Sequence, residues 1–175
     1  WHSSGRFIAF SINQTKQAFH QNDRNRIEVF DFSSDVVVYD LERDAVLTDS
    51  LLMKQTAFET FPTFSPDGKK LYFCSAEAKT LPYEFDQVKY SLCSIDFDAE
   101  SRSFGTQVDT LYNGRLKNKS VSFPRVSPDG RFLVFTLSSY GNFSIWHKDA
   151  DLMMVDLKTG QVSELEGVNS NDVES

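Results

Sequence analysis

Apolar and polar positions alternate along short segments of this chain, and the alternation returns at an interval of about 62 residues. The apolar positions that correspond between copies are Ile8 and Phe10, Leu71 and Phe73, and Leu133 and Phe135. A period of two predicts β-strands with one buried face. Because no stretch keeps apolar residues at helical spacing over three turns, the chain is predicted to be all-β.

A turn motif precedes each of these strands. It reads Phe-Pro-Thr-Phe-Ser-Pro-Asp-Gly at residues 61–68 and Phe-Pro-Arg-Val-Ser-Pro-Asp-Gly at 123–130, and a weaker copy, Trp-His-Ser-Ser-Gly, occupies 1–5. Pro presets φ, Asp accepts bonds from nearby backbone N–H groups, and Gly supplies a positive φ. The residues predicted to form structural turns are Pro66, Asp67, Gly68, Pro128, Asp129 and Gly130.

Each repeat predicts four short strands. First strands are expected at 62–65 and 124–127; second strands at 6–11, 70–75 and 131–137; third strands at 35–41, 91–97 and 151–157; and fourth strands at 45–48, 107–112 and 161–165. Four hairpin-connected strands, repeated radially, form the blades of a β-propeller. The expected fold is therefore a β-propeller segment of three four-stranded antiparallel blades. The blades are expected at about 1–53, 58–113 and 120–167, with 168–175 as a linker to a further blade.

Three blades are too few to close a propeller, which needs roughly four to eight. Trp1 also falls inside a repeat, at the position of Phe64 and Val126 in the other copies. We therefore expect a piece of a longer protein whose ring holds about six blades. The alternative is that two copies of the chain pair face to face as a homodimer.

Residues 61–75 and 123–137 resemble the PD40 (WD40-like) repeat of TolB-type β-propellers. The match is weaker at 1–11, where Ser3 and Ser4 replace Pro-Asp. The overall pattern is also similar to secreted or lipid-anchored TolB-like proteins of the Bacteroides group. The resemblance implies a periplasmic or cell-envelope location, with lipid anchoring of the longer protein as one option. It supplies no catalytic residues, because the family shares none.

The net charge of -7 argues against a nucleic-acid partner, since no stripe of Lys and Arg exists to replace counterions on phosphates. No apolar run approaches the roughly 18 residues of a membrane-spanning helix. The nucleophile motif Gly-x-Ser-x-Gly and phosphate-binding loops are absent from the sequence. His2, His20 and His147 fall on different blades or connections, without a Cys at ligand spacing, so no zinc site is expected. No cofactor is predicted.

Acidic residues near strand ends have two interpretations. Asp40, Asp96 and Asp156 recur once per blade, which favours a turn-capping role. Asp96 alternates with Asp98 and Glu100, a spacing that could hold calcium, but the segment lacks the glycine pattern of a calcium loop. No metal is therefore predicted there.

Cys74 and Cys93 fall on the second and third strands of the same blade. In an oxidising compartment a cross-strand disulfide is one option, and two reduced, buried thiols are the favoured alternative.

The long connections between second and third strands, at 12–34, 76–90 and 138–150, are expected to gather on the face opposite the turns. Loops there are free to carry recognition while the blades hold shape. The candidate ligand- or partner-binding residues are Tyr140, Asn142, Trp146, His147, Arg24 and Arg26. The alternatives are a small cluster that anchors the 138–149 loop and a solvated charged loop at 22–32.

The expected function is that of a non-enzymatic binding scaffold of the bacterial cell envelope, recognising a protein, peptide or glycan through the long-loop face. The alternative is a propeller domain of, or accessory to, a peptidase or a lyase. Such an enzyme would need convergent His, Asp, Glu or Arg side chains at the channel mouth, or a metal. A purely structural spacer is a third hypothesis.

Overall fold

The computed structural model describes residues 1–14, 17–23, 26–81, 83–139 and 149–169, with only the backbone described at 17–23 and 26–31. The strands in that part of the chain are β1 (Phe7–Asn13), β2 (Gln17–Asp23), β3 (Arg26–Asp31), β4 (Ser34–Asp40), β5 (Ala45–Leu47), β6 (Ala57–Phe64), β7 (Lys70–Glu77), β8 (Ser91–Asp98), β9 (Ser103–Phe104), β10 (Asp109–Tyr112), β11 (Ser120–Val126), β12 (Phe132–Ser138), β13 (Asp151–Asp156) and β14 (Val162–Glu164). Single-turn 3-10 helices occur at Phe85–Gln87 and Arg115–Lys117. No helix in the described ranges is long and apolar enough to cross a membrane.

The strands form three antiparallel sheets and one separate hairpin. Sheet 1 has the order β1-β4-β5, sheet 2 the order β10-β8-β7-β6 with β9 paired to β8, and sheet 3 the order β11-β12-β13-β14. The predicted all-β fold of three propeller blades is confirmed. In the described residues sheet 1 holds three strands.

The core of the described residues lies between the sheets, in two large apolar clusters, and a smaller third cluster contains Phe58, Ala76 and Val88. The cluster between sheets 1 and 2 includes Phe7, Val36, Val38, Leu71 and Phe73, and the cluster between sheets 2 and 3 includes Tyr72, Cys74, Val121, Leu133 and Phe135. Successive side chains of β7 enter the two clusters alternately, as strand geometry requires. Because each buried Leu or Phe contributes about 1.5–3 kcal/mol, the paired clusters hold successive blades face to face.

The first strand of each complete blade is longer than predicted. β6 and β11 begin at Ala57 and Ser120 and continue through Phe-Pro as a bulge, with register shifts at Thr60/Thr63 and Ser122/Arg125. Phe61 and Phe123 take positive φ values of 53° and 51°, a rare conformation for an aromatic residue. Their rings are in contact in a tilted arrangement, with centroids 4.5 Å apart and an interplanar angle of 46°. Because proline has no N–H to donate to a β-ladder, Pro62 and Pro124 were expected at the starts of strands. In the structure they lie in the bulges of β6 and β11.

Of the two interpretations of 22–32, the solvated charged loop is wrong for the described backbone, which forms a hairpin. β2 and β3 pair antiparallel, from Gln17 opposite Asp31 to Asp23 opposite Arg26. The hairpin is inserted between the second and third strands of blade 1. Alternation of Ile27 and Val29 with charged neighbours was the signal for a strand, but the density of charge concealed it.

The Pro-Asp-Gly turn is closed by side chains as well as by backbone. Gly68 has φ 73°, and its N–H donates to the Ser65 carbonyl at 2.9 Å. The Ser65 hydroxyl donates to Asp67 Oδ1 at 2.6 Å and accepts the Lys70 N–H at 3.0 Å. Asp67 Oδ1 also accepts the Lys69 N–H, and these bonds lower the pKa of Asp67, the Ser65 bond most. The Asp67 carboxylate is therefore used in hydrogen bonds within its own turn.

The other two turns follow the same plan. Ser127 and Asp129 reproduce the pattern in the third repeat. In the weak first copy His2 and Ser4 take the places of Ser and Asp: the Gly5 N–H donates to the His2 carbonyl at 2.9 Å, and Ser4 Oγ accepts the Arg6 N–H at 3.2 Å. The degraded motif thus closes the same turn with different side chains.

His2 joins blade 1 to blade 2. Its ring is buried against Phe7, Phe64 and Phe97 at centroid distances of 5.3, 5.1 and 5.8 Å, and burial lowers its pKa. Its Nε2 lies 3.2 Å from the Gly68 carbonyl oxygen. A Cβ at Gly68 would lie 2.1 Å from the same nitrogen. Glycine is therefore required at this position both for its positive φ and for the space it leaves.

Two of the three recurring aspartates cap turns as predicted from their spacing. Asp40 and Asp156 each accept the N–H of the residue two positions later, at 3.0 and 2.9 Å. The capping role predicted for Asp96 is wrong. Its carboxylate pairs with Lys70 Nζ at 2.5 Å, and Asp98 caps the turn instead. The reason is the longer β8, which continues to Asp98 to pair with β9.

Asp40 also ties blade 1 to blade 2. Its carboxylate, with no exposed surface, accepts Arg6 Nη2 at 2.9 Å within its own sheet and Arg102 Nε at 2.8 Å from sheet 2. The Arg6 bond, with Arg102 adding to it, holds the pKa of the Asp40 carboxyl well below its usual range. Both ion pairs are charge-assisted hydrogen bonds, and together they hold blade 1 against blade 2.

Cys74 and Cys93 are free, buried thiols. Cys74 belongs to the cluster that faces sheet 3 and Cys93 to the cluster that faces sheet 1, so their side chains lie on opposite faces of sheet 2. Burial raises the pKa of both thiols. Of the two options left open by the sequence, the structure shows the reduced pair.

Candidate functional site: a cleft at the loop end of sheet 2

Sheets 2 and 3 each have two distinct ends. We call the end that carries the Pro-Asp-Gly turn the turn end, and the end from which the long second-to-third connection leaves the loop end. β7 runs from the turn at 65–68 to a connection at 78–90, and β12 runs from the turn at 127–130 to a connection at 139–150. In sheet 1, β1 runs in the same sense.

The predicted binding residues at the loop end lie outside what the structure describes. Tyr140, Asn142, Trp146 and His147 fall in 140–148, and Arg24 falls between β2 and β3. Arg26 begins β3, and its side chain is likewise outside the described part. Their roles therefore remain predictions.

The residues that flank 140–148 are described, and they are bonded to each other. The Ser139 hydroxyl donates to Asp149 Oδ2, which also accepts Lys119 Nζ at 3.1 Å. Lys89 Nζ donates to the Ser139 carbonyl. Burial raises the pKa of Asp149, but the bonds from Ser139 and Lys119 outweigh it and the net shift is downward. Both ends of the segment are thus fixed to sheet 2 and to the linker between sheets 2 and 3.

A cavity of about 300 Å³ opens beside this point, on the side of sheet 2 that faces sheet 1. We call it the cleft. Its floor includes Ser75, Ser91 and Cys93 on β7 and β8, and Ser75 and Ser91 are cross-strand partners. Nearer the turn end the same face carries Leu71 and Phe73. Two serines in place of large apolar side chains leave the space that forms the cleft.

Basic side chains surround the cleft. Lys54 from the linker between sheets 1 and 2, Lys89 before β8, and Arg115 after β10 all line it, and Glu77 is the one carboxylate among the described lining residues. Arg115 Nη1 lies 3.4 Å from Glu77 Oε2, and Lys79, outside the lining, reaches the same oxygen at 3.1 Å. Burial lowers the pKa of Lys89. In a chain of net charge -7 the cleft carries a local excess of positive charge.

A buried carboxylic acid lies behind the cleft. Glu59 on β6 pairs with Ser75, has no exposed surface, and has no hydrogen-bond partner for either oxygen among the described residues. Burial raises its pKa to about 7, while the Lys54 charge opposes the rise and Asp35 adds to it. Sequence reasoning missed Glu59. The repeat aligns Glu59 with the buried Val121 of the next blade, and a charged residue at a position that is apolar in the other copy was the signal that could have revealed it.

The turn end offers a larger groove of about 1250 Å³. Its lining includes the carboxylates of Asp67, Asp96, Asp98, Glu100 and Asp129. Most of these side chains are committed to turns or ion pairs, as described above. Within the described ranges no group of three or more His, Cys, Asp or Glu side chains could hold a metal ion.

No family model matches the chain, and no curated protein matches it. Among solved structures it is similar to TolB from Acinetobacter baumannii, at 21% identity over 79% of this chain and 29% of that one, with a TM-score of 0.47. It is also similar to a puromycin-hydrolyzing peptidase of Mycobacterium tuberculosis, at 13% identity over 86% of this chain and 23% of that one, with a TM-score of 0.48. A third similar structure is an oligogalacturonate lyase in complex with manganese, at 12% identity over 86% of this chain and 35% of that one, with a TM-score of 0.44. The chain thus spans about a third or less of each, and similarities this distant assign no activity.

Proposed function

We propose that this chain is the recognition part of a TolB-like β-propeller of the bacterial cell envelope, and that it binds a protein, peptide or glycan at its loop end without catalysing a reaction. The longer ring and the envelope location come from the resemblance of its repeats. The observation that carries the proposal is the cleft, a cavity lined by basic side chains at the end where the long connections leave the blades.

The architecture supports this assignment of roles. Strand β7 is buried on both faces, so the middle of the blade is committed to packing. The carboxylates of the turn end are largely bonded within their own turns. Loop-end residues are the ones free to vary without loss of the core, which is where recognition residues are usually placed on a rigid scaffold.

The test is binding of the purified chain to peptide and glycan arrays. We expect ligands that are retained by the parent and by Lys158→Ala, an exposed change in the sheet 3 turn, and lost or weakened by Lys54→Ala and by Trp146→Ala. Thermal unfolding of each variant establishes that the fold is retained. Ligands that bind all four proteins equally, or no ligand at all, would contradict the proposal.

The alternative, a domain of or accessory to a hydrolase or lyase, is favoured by Glu59. A buried carboxyl with a pKa near neutrality is in the range used for general acid–base catalysis. Mass spectrometry of retained ligands after long incubation distinguishes the two functions. Unchanged ligand favours binding alone, and products that disappear with Glu59→Gln favour the enzyme.

A further inference from the structure

We propose that the cleft of sheet 2 binds one carboxylate group of a peptide ligand, with Lys54, Lys89 and Arg115 as its charged partners. The inference rests on the proposed function and narrows it to a ligand chemistry and a location. It involves no covalent step.

The first argument is charge. In the described part of the chain, three basic side chains and one carboxylate line the cleft. Glu77 is held by Lys79 at 3.1 Å, and its contact with Arg115 is longer, at 3.4 Å. Arg115 can therefore turn toward a ligand without leaving Glu77 unpaired.

The second argument is unused donor capacity. An ammonium group carries three donors and a guanidinium five. Lys89 is described with one acceptor, the Ser139 carbonyl. For Lys54 no side-chain hydrogen bond or ion pair is found within the described ranges, although its charge acts on buried Glu59. Both lysines thus retain donors for a ligand.

The third argument is size and the nature of the walls. A volume of about 300 Å³ is at the lower limit for small-molecule sites and suits one side chain or chain terminus. Hydroxyl and amide groups of Ser75, Thr110 and Asn113 also line it, and can bond the polar atoms next to a carboxylate. None of the described lining residues is aromatic, so the cleft offers no flat face for a sugar ring. A peptide carboxylate is therefore favoured over a glycan.

Buried Glu59 does not oppose this ligand at neutral or lower pH. Its pKa of about 7 means that much of the population is uncharged there. The other charged or titratable groups near it are Lys54, Asp35 and Cys93. A carboxylate in the cleft therefore meets a mainly positive environment.

The experiment is an NMR titration of the ¹⁵N-labelled chain with acetyl-Gly-Gly-Glu-Gly-Gly-amide, at pH 6.5 and low salt. We expect amide shifts at Ser75, Lys89 and Arg115, none at the turn end, and at least tenfold weaker binding of the Gln peptide. Acetyl-Gly-Gly-Gly with a free C-terminus shows whether a chain terminus serves as well as a side chain. Equal binding of the Glu and Gln peptides would overturn the proposal.

Variants give a second readout. Lys54→Gln and Arg115→Gln are each expected to weaken binding of the Glu peptide at least fivefold. Lys158→Gln is expected to leave its affinity unchanged. Inorganic phosphate that displaces the peptide at lower concentration than acetate does would overturn the choice of carboxylate. If arrays reveal loop-end ligands but this peptide fails to bind, the inference fails and the proposed function stands.

Discussion

The two ends of sheet 2 use charged residues in opposite ways. At the turn end, carboxylates accept hydrogen bonds from their own turns, as Asp67 and Asp98 do, or pair with a cation across strands, as Asp96 does with Lys70. At the loop end, Lys54 and Lys89 keep donors that the described residues do not occupy. Charged groups at the turn end are therefore mostly used within turns and ion pairs, whereas at the loop end ion pairs such as Lys119–Asp149 occur beside lysines with unused donors.

The difference follows from how each end is packed. Near the turn end, on the face of sheet 2 toward sheet 1, Phe64 and Phe97 pack around His2, and the groove of about 1250 Å³ lies beside them. The loop end has Ser75 and Ser91 at the corresponding depth, and a cavity results. The two ends of one sheet thus differ in the size of the side chains that pack there.

Gly68→Ala is expected to have the largest effect on stability. The added Cβ would meet the His2 ring at 2.1 Å and take a positive φ of 73°. Strain from φ of about 1–2 kcal/mol and overpacking of about 1–3 kcal/mol together predict a loss of roughly 2 to 5 kcal/mol. Urea unfolding measures it.

The matched control is Gly160→Ala, because Gly160 has φ 74° but nothing within 4 Å of its Cβ position. It is expected to lose only the φ term, about 1 kcal/mol. Equal losses at the two glycines would show that His2 does not pack as described.

Glu59→Gln tests the loop end. Because the folded-state pKa is raised from 4.5 to about 7, the protonated acid favours folding, and this contribution is complete below pH 4.5. It is lost as the pH rises through 7, by at most about 3 kcal/mol at 1.36 kcal/mol per pKa unit. We expect Glu59→Gln to remove that pH dependence and to be more stable than the parent at pH 8.

Denaturant unfolding between pH 4.5 and 8 provides the measurement. Exposed Glu100→Gln is the control and is expected to follow the parent curve. A parent whose stability is flat or rises over this range would contradict the raised pKa.

Arg102→Ala removes the contact between blades at the turn end while Arg6 remains on Asp40. We expect Tm to fall by a few degrees at pH 7, because a fully buried carboxylate loses one of its two cationic partners. The folded pKa of Asp40 is depressed, so its contribution is present above about pH 4 and lost as the pH falls through the folded pKa. Exposed Arg43→Ala should leave Tm unchanged, and an equal fall in both variants would argue against the contact.

Arg115→Gln is expected to have the smallest effect, within about 0.5 kcal/mol of the parent, because its contact with Glu77 is exposed and long. The same change weakens the acidic peptide in the binding test. A large loss of stability here would mean that loop-end charges are structural after all, and the contrast between the two ends would fail.

Local patterns explain why much of the fold was predictable. The positions of β7, β8, β12 and β13 follow from period-two alternation and from a turn whose residues each have a fixed role. The bulges at Phe61 and Phe123 were not predictable, because proline favours a strand boundary unless the partner strand is known.

The cleft could not be predicted from the sequence. It combines Lys54 in a linker, Ser75 and Ser91 on two strands, and Arg115 in a 3-10 turn, which no spacing rule brings together. Glu59 could have been found, since it replaces an apolar repeat position. The residues predicted from composition, such as Trp146, lie outside the described chain and remain to be tested.

The fit of His2 against Gly68 gives the repeats an order. Gly130, the equivalent residue one blade later, has Pro66 as its neighbour at 3.8 Å instead of an imidazole. Blades with identical contacts could be exchanged freely, but in this chain the contact between blades 1 and 2 depends on a specific pair of residues, His2 and Gly68. A circularly permuted or repeat-swapped version of this protein would have to move His2 and Gly68 as a unit.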